Sequence, residues 1–350
     1  MRYSKLGSSG IEVSRVCLGS MTWGQQNNQA DADQQIDFAL SRGVNFIDTA
    51  EMYSVPPRAE TYGATESIIG NWLSRHQQQR KQVYIASKIA GPGFSYIRGG
   101  KPMDGEGVIA AVDASLKRLN TDYIDLYQLH WPNRVSPHFG KHLPNNIRFS
   151  KVNAQTESNA MLEILQALQD CVDAGKIRHC GLSDETTWGI NQYIRLAEKH
   201  ALPKMVSIQN EFSLLHSKDW PYLIENCFHE DVAYLPWSPL AGGALSGKYL
   251  NGQRPEGSRW TLEQRNGLFR DNPQSQQAIE QYVNIAKKYA ITPSQLALAW
   301  CDQIDGVTST IIGATTIEQL SENLDAFDLP LSEEVLAEIN STLQTYPSPF

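Results

Sequence analysis

Asn45-Phe46-Ile47-Asp48-Thr49-Ala50-Glu51-Met52-Tyr53 decides how the rest of the chain is read. A short apolar run ends at Asp48, and a more polar segment leads on to Tyr53 five residues later. Asp is common where a strand gives way to a loop, so the stretch by itself fits a capped strand with an incidental tyrosine. It fits equally a carboxylate and a phenol at the mouth of a buried strand, one serving as charge anchor and the other as proton donor. The flanking sequence separates the two readings.

Outward from this stretch one unit repeats. Upstream, residues 1–14 read as a hairpin turning at Gly7-Ser8-Ser9-Gly10. Val16-Cys17-Leu18-Gly19 reads as a first buried strand and 31–42 as a helix stopped by Gly43. Downstream, helical spacing is found over 64–75, 105–119, 158–174, 187–199, 218–229, 274–289, 293–303, 317–326 and 332–343. Between these lie apolar strands at 83–87, 124–129, 177–182, 206–208, 232–235 and 309–312. Eight short strands, each followed by a helix, favour an α/β fold of the closed parallel (β/α)8 TIM barrel type. The hairpin precedes the barrel, and extra helices fall in its C-terminal part. A doubly wound open sheet is the alternative, but no GxGxxG follows the first strand. No linker interrupts residues 1–350, which read as one domain. Two insertions, 131–157 and 240–273, are too long for ordinary connections and are expected to be functional or mobile.

Composition narrows the function classes. The chain of 350 residues is 41% hydrophobic and 19% charged, with a net charge of −8. Such a chain supports a large core, and an acidic balance without a basic block disfavours nucleic acid or an anionic membrane as partner. Cys17, Cys171, Cys180, Cys227 and Cys301 form no CxxC pair, so reduced thiols in a cytoplasmic protein are expected. No signal peptide and no run of about 18 apolar residues is present.

In such a barrel, reactive groups gather at the C-terminal ends of the strands. Polar residues at those ends are Asp48 with Tyr53 beyond it, Lys88, His130, Ser183 and Gln209. The first four come from three consecutive strands and are expected at one rim. A lone strand-end His or Lys is usually structural or solvated; their conjunction with Asp and Tyr carries the argument. Hydride addition to a carbonyl leaves an alkoxide in need of a proton. Tyr53, an acid of pKa about 10 when unperturbed, could supply it. The ammonium of Lys88 is expected to lower that pKa, Asp48 to hold Lys88, and His130 to orient the carbonyl or relay the proton.

Asp48-Thr49-Ala50-x-x-Tyr53, Lys88 after Ile85-Ala86-Ser87, and Leu126-Tyr127-Gln128-Leu129-His130-Trp131 resemble the motifs of the aldo-keto reductases. The resemblance spans the hairpin to about residue 327 and implies a barrel that binds NADP(H) without a Rossmann fold, NADH being the lesser candidate. It implies that Ser183 and Gln209 hold the nicotinamide carboxamide, with Asp184 beside them, and that Trp237 stacks on the ring. It further implies that Trp237-Ser238-Pro239-Leu240 and the segment with Ser246 and Lys248 wrap the pyrophosphate. Gly313, Thr315, Gln319, Glu322 and Asn323 would then grip the adenosine end. The Gly-Ala-Thr-Thr run there ends a strand and opens a helix, which suits an anion and equally an N-cap.

Three departures qualify the resemblance. Asp184 stands where the family usually has Asn; its charge would favour the oxidised ring, and a carboxylate cannot donate to the carboxamide oxygen. Gln319 falls where many relatives place an Arg for the 2′-phosphate, so Lys248 or Arg259 is the candidate for that charge. Glu51 has no role assigned. Trp23 and Trp131, with Tyr53 and His130, are expected to line the substrate pocket. His138 and His142 lie four apart amid Phe-Gly-Lys and nearby prolines, a poor setting for a metal-binding helix, and no metal is expected.

The leading expectation is an enzyme reducing aldehydes or ketones with NADPH, its partner a small carbonyl. A nucleotide-binding regulatory module resembling potassium-channel β subunits is the rival. The sequence opening directly at the hairpin favours the enzyme. A metal-dependent hydrolase using Asp48 and His130 ranks last for want of paired histidines.

Overall fold

The parity of inward-facing residues shapes the molecule. In the computed structural model, which describes residues 1–262, 268–347 and 349–350, a hairpin of β1 (Tyr3–Lys5) and β2 (Glu12–Ser14) comes first. Then follow β3 (Val16–Gly19), α1 (Gln29–Ser41), β4 (Phe46–Asp48), α2 (Ala64–Arg75), β5 (Tyr84–Ile89), α3 (Gly105–Leu119) and β6 (Ile124–Leu129). The second half has α4 (Ala154–Asp173), β7 (Ile177–Ser183), α5 (Thr187–His200), β8 (Met205–Glu211), α6 (Tyr222–His229) and β9 (Ala233–Trp237). It ends with α7 (Pro273–Lys288), α8 (Pro293–Gln303), β10 (Thr310–Ile312), α9 (Ile317–Asp325) and α10 (Glu333–Thr345). The expected fold is what is observed: eight parallel strands in the order β10-β3-β4-β5-β6-β7-β8-β9. A bridge between Tyr234 and Val307, with Thr308 N–H donating to the Tyr234 carbonyl at 2.9 Å, brings the two sheet edges together.

Alternate residues of each strand face opposite ways. Val16, Leu18, Ile47, Ile85 and Tyr127 pack outward against the helices. Cys17, Phe46, Ala86 and Leu126 fill the barrel interior, joined at its N-terminal end by Leu6 and Val13 of the hairpin segment. Two residues further along, the inward positions turn polar: Asp48, Lys88 and Gln128. The register sets Asp48 beside Ala86 and Lys88 beside Gln128. An apolar plug therefore lies under a polar floor at the C-terminal mouth.

Some boundaries differ from those expected. Lys88 and Gln209 were placed at strand ends and lie inside β5 and β8, because the polar floor still belongs to the hydrogen-bonded ladder. Helix α4 begins at Ala154, where the Asn153 side chain accepts from Thr156 N–H, earlier than the periodicity suggested. Helix α6 begins only at Tyr222, after Pro221. Of the 240–273 insertion, residues 263–267 lie outside the described residues. Among the described residues, no helix is long and apolar enough to cross a membrane.

Candidate active site

Three adjacent strands deliver the first cluster. Lys88 is fully buried, and its Nζ donates to Asp48 Oδ2 (2.6 Å) and the Thr49 carbonyl (2.8 Å), with the Tyr53 hydroxyl at 3.4 Å. The second Asp48 oxygen accepts from Gln209 Nε2 (2.8 Å) and Gln128 Nε2 (3.3 Å). His130 follows β6, and its ring stands edge-on to Tyr53 with centroids 5.5 Å apart. Asp48, Tyr53 and His130 open on a cavity of about 1330 Å³, with Lys88 behind them. Ordinary small-molecule pockets run to about 1,000 Å³, so this one has room for a dinucleotide and a second molecule.

Burial sets the protonation states. It works against the Lys88 charge, yet Asp48 and the Tyr53 phenol together hold that pKa above its ordinary value. Burial also raises the Tyr53 phenol, outweighing the opposing pull of Lys88. The sequence reading expected a lowered phenol pKa; the ammonium acts in that direction, but desolvation wins. His130 is pushed well below the usual histidine range by burial and by Lys88, so its imidazole is neutral. Its Nδ1 is buried without a hydrogen-bond partner among the described residues.

The other side of the cavity can hold a nucleotide. Gln209 commits its amide nitrogen to Asp48 and Gln128, which leaves its oxygen for a ligand. Ser183, Asp184 and Trp237 line the same region. The Trp237 indole N–H donates to Asp184 Oδ1 (3.0 Å), and the Phe139 ring lies against that indole at 5.6 Å. Burial holds the Asp184 carboxyl well above the carboxylate range, and Glu211 and Asp219 add to the effect. That direction favours the protonated carboxyl, which can donate as well as accept.

Ser238, Pro239, Leu240, Ser246, Lys248 and Arg259 line the adjoining stretch of the cavity, and Gly313, Thr315, Gln319, Glu322 and Asn323 its far end. Lys248 folds against Gly243, where a Cβ would lie 3.1 Å from Nζ. Arg259 Nη2 lies 3.0 Å from Met21 Sδ, and burial followed by Arg270 lowers its pKa. Gln319 turns its side-chain oxygen back onto Thr315 N–H (3.0 Å), and Asn323 donates to the Gly313 carbonyl (3.3 Å). An apolar slot, a row of amide and hydroxyl groups, and two cations without carboxylate partners among the described residues fit a nicotinamide dinucleotide. No group of three or more potential metal ligands occurs among the described residues.

Residues 15–344 match the model described as the aldo/keto reductase family. The chain belongs to the aldo-keto reductases. "Protein tas" of Escherichia coli K12 is 44% identical over 354 residues, covering 100% of both chains. The "Uncharacterized oxidoreductase YrpG" of Bacillus subtilis is 31% identical, with 100% of this chain and 97% of the relative covered. The "Versiconal hemiacetal acetate reductase" of Aspergillus parasiticus is 28% identical, with 95% and 94% covered.

One expected wall residue of this aldo-keto reductase sits elsewhere. Trp23 does not reach the cavity: it is fully buried, and its indole N–H donates to Gln35 Oε1 on α1 (2.9 Å). An unmet buried donor costs about 1–3 kcal/mol, so Gln35 holds the ring inward and leaves Met21 and Thr22 to line the wall. Trp131 does line the cavity, its indole N–H donating to the Pro92 carbonyl (3.1 Å). Sequence reasoning missed Gln128. Gln128 carried a signal: a glutamine two residues after an inward Leu126 shares its face. His138, whose Nδ1 lies 3.6 Å from Asp184 Oδ1, and Arg134, paired with the Glu185 carboxylate, belong to the 131–157 insertion that the sequence marks as functional or mobile.

Proposed function

We propose that this aldo-keto reductase uses NADPH to reduce an aldehyde or ketone to an alcohol, with Tyr53 as general acid. One observation carries the reading: a single buried ammonium, Lys88, touches both the Asp48 carboxylate and the Tyr53 hydroxyl on the cavity floor. The cofactor, when bound, supplies the hydride and its electron pair to the carbonyl carbon. Tyr53 then gives its proton to the oxygen that takes up the π pair, and solvent restores that proton. Lys88 stabilises the phenolate left behind, while Asp48, held by Gln128 and Gln209, keeps Lys88 in place. His130 is neutral, so it serves as a hydrogen-bond partner that orients the carbonyl and leaves proton donation to Tyr53. Ser183, Asp184 and Gln209 are suited to the carboxamide and Trp237 to the ring face. Lys248 and Arg259 offer positive charge to phosphate. The five cysteines are free and buried, which suits a reducing compartment such as the cytoplasm.

The test is titration with NADPH and NADH followed through tryptophan fluorescence, then a carbonyl panel. NADPH is expected to quench strongly through Trp237, with NADH binding more weakly, and at least one carbonyl to be turned over. Equal affinity for both cofactors would remove the assignment to NADPH. Saturable binding with no carbonyl reduced by either cofactor would remove the activity.

A further inference from the structure

Glu51 lies between Asp48 and Tyr53 and takes no part in the chemistry above. It is fully buried. Its Oε1 accepts from Ala90 N–H (2.6 Å), and its Oε2 accepts from the Tyr62 hydroxyl (2.9 Å) and from Arg98 Nη1 (2.9 Å). Arg98 Nη2 lies 2.8 Å from Glu51 Oε1 and also donates to the Ala90 carbonyl (2.6 Å). The Glu51 backbone N–H donates to the carbonyl of Lys88 (3.1 Å). One carboxylate therefore ties the Tyr53 segment to the loop that follows β5.

That loop carries an aromatic wall. Phe94 stands 6.0 Å from Trp131, centroid to centroid, and Trp131 stands 4.9 Å from His130, which faces Tyr53. On its other side Phe94 packs on Tyr96 at 5.5 Å, and Tyr96 on Tyr62 at 6.3 Å. The series starts at a hydroxyl bonded to Glu51 and ends at the proposed acid. Gly91 lets the loop approach closely: a Cβ there would lie 2.3 Å from Trp131 Cδ1. Arg98 adopts a left-handed backbone (φ 46°), followed by Gly99 and Gly100 in the same region. A non-glycine residue is costly in that region, and its bonds to Glu51 and Ala90 hold it there.

We propose that the buried Glu51–Arg98 pair is a positioning clasp for the carbonyl pocket, setting the Phe94–Trp131 wall against Tyr53 and His130 so that the site selects carbonyls with an aromatic or bulky apolar group. The inference rests on the reductase reading for its substrate chemistry. Glu51 and Arg98 line no part of the cavity, so they act through Met52, Tyr53, Pro92 and Phe94, which do. An apolar wall gains selectivity from area of contact, and a misplaced ring loses it for a large substrate more than for a small one.

The experiment compares 2-naphthaldehyde with propanal in wild type, Arg98→Lys and Phe94→Ala. Arg98→Lys keeps the charge but not the planar fork that reaches Glu51 and the Ala90 carbonyl together. It is expected to raise KM for 2-naphthaldehyde about tenfold while KM for propanal and kcat for both move less than about threefold. NADPH quenching should be unchanged. Phe94→Ala should lose the same preference with the clasp intact. A lower Tm with the KM ratio of the two aldehydes preserved would overturn the clasp and leave an ion pair that only stabilises the fold. If wild type reduces neither aldehyde, the carbonyl panel above decides the reductase reading, and binding of 2-naphthalenemethanol by calorimetry decides the clasp separately. About tenfold weaker binding to Arg98→Lys supports it, and equal binding overturns it.

Discussion

Tyr53→Phe is expected to bind NADPH as wild type does and to lose about two to four orders of magnitude in kcat for carbonyl reduction. The substitution removes one oxygen. Among the described residues that oxygen has one hydrogen-bond partner, Lys88 Nζ at 3.4 Å, so its loss leaves the Asp48–Lys88 bond and the fold intact. What disappears is the proton for the developing alkoxide. His130 cannot replace it, because burial and Lys88 keep its imidazole unprotonated. The directions of these shifts also set the pH profile. Tyr53 is raised, so it stays protonated across neutrality, and reduction should fall only above the ordinary phenol range of about 10. His130 is lowered, so no inflection is expected near its ordinary value of about 6.5. Steady-state kinetics of both proteins from pH 6 to about 11 would check this. Turnover by Tyr53→Phe within about threefold of wild type, or a single inflection near neutrality, would speak against Tyr53 as the acid.

The second large effect belongs to Lys88→Met. Its side chain is fully buried, and its ammonium is the only cation paired with Asp48 among the described residues. Removing one member of a buried pair leaves the other charge uncompensated, at a cost of about 3–5 kcal/mol. Against a typical stability of about 5–15 kcal/mol, that is a large fraction. Gln128 and Gln209 still donate to Asp48 and soften the loss. Urea unfolding should show the midpoint falling by the corresponding amount. The double variant Asp48→Asn with Lys88→Met removes both charges and should recover much of it, since a neutral amide costs less to bury than a lone carboxylate. Neither variant should retain reductase activity above the level of Tyr53→Phe. An unchanged unfolding midpoint for Lys88→Met would contradict the pair as described.

How far the site could be read from the chain follows from the range of the forces involved. Asp48 and His130 each stand where an apolar run stops, and hydrophobic alternation is a local signal. Their convergence followed once the strands were counted. Lys88 and Gln209 were legible as residues but not as interior positions, because the strands run on past their apolar stretch through a polar floor that only neighbouring strands satisfy. Trp23 misled for a related reason: an indole beside a strand end suits a pocket wall, and the hydrogen bond that turns it inward comes from Gln35, a helix away. The direction of the Tyr53 shift was out of reach, because it is a contest between a named neighbour and the extent of burial, and only the first appears in a sequence. Glu51 and Arg98 are 47 residues apart in segments without periodicity, so nothing local joins them. Asp184 was read as a charge because its residue type is acidic; the burial that chiefly raises its pKa, and Glu211 and Asp219 on a later strand and loop that add to it, are not local in the sequence.

The central claim is that hydride from a nicotinamide and a proton from Tyr53 meet on one carbonyl. Its most direct test is isotope tracing: NADPH deuterated at the C4 position that donates hydride, incubated with the enzyme and a panel of aldehydes, and the alcohols analysed by mass spectrometry. The account predicts one deuterium on the carbinol carbon in wild type, and labelling slowed by about two to four orders of magnitude in Tyr53→Phe over the same incubation. Saturating NADPH with no deuterium in any alcohol, or equal labelling by the two proteins, would contradict it.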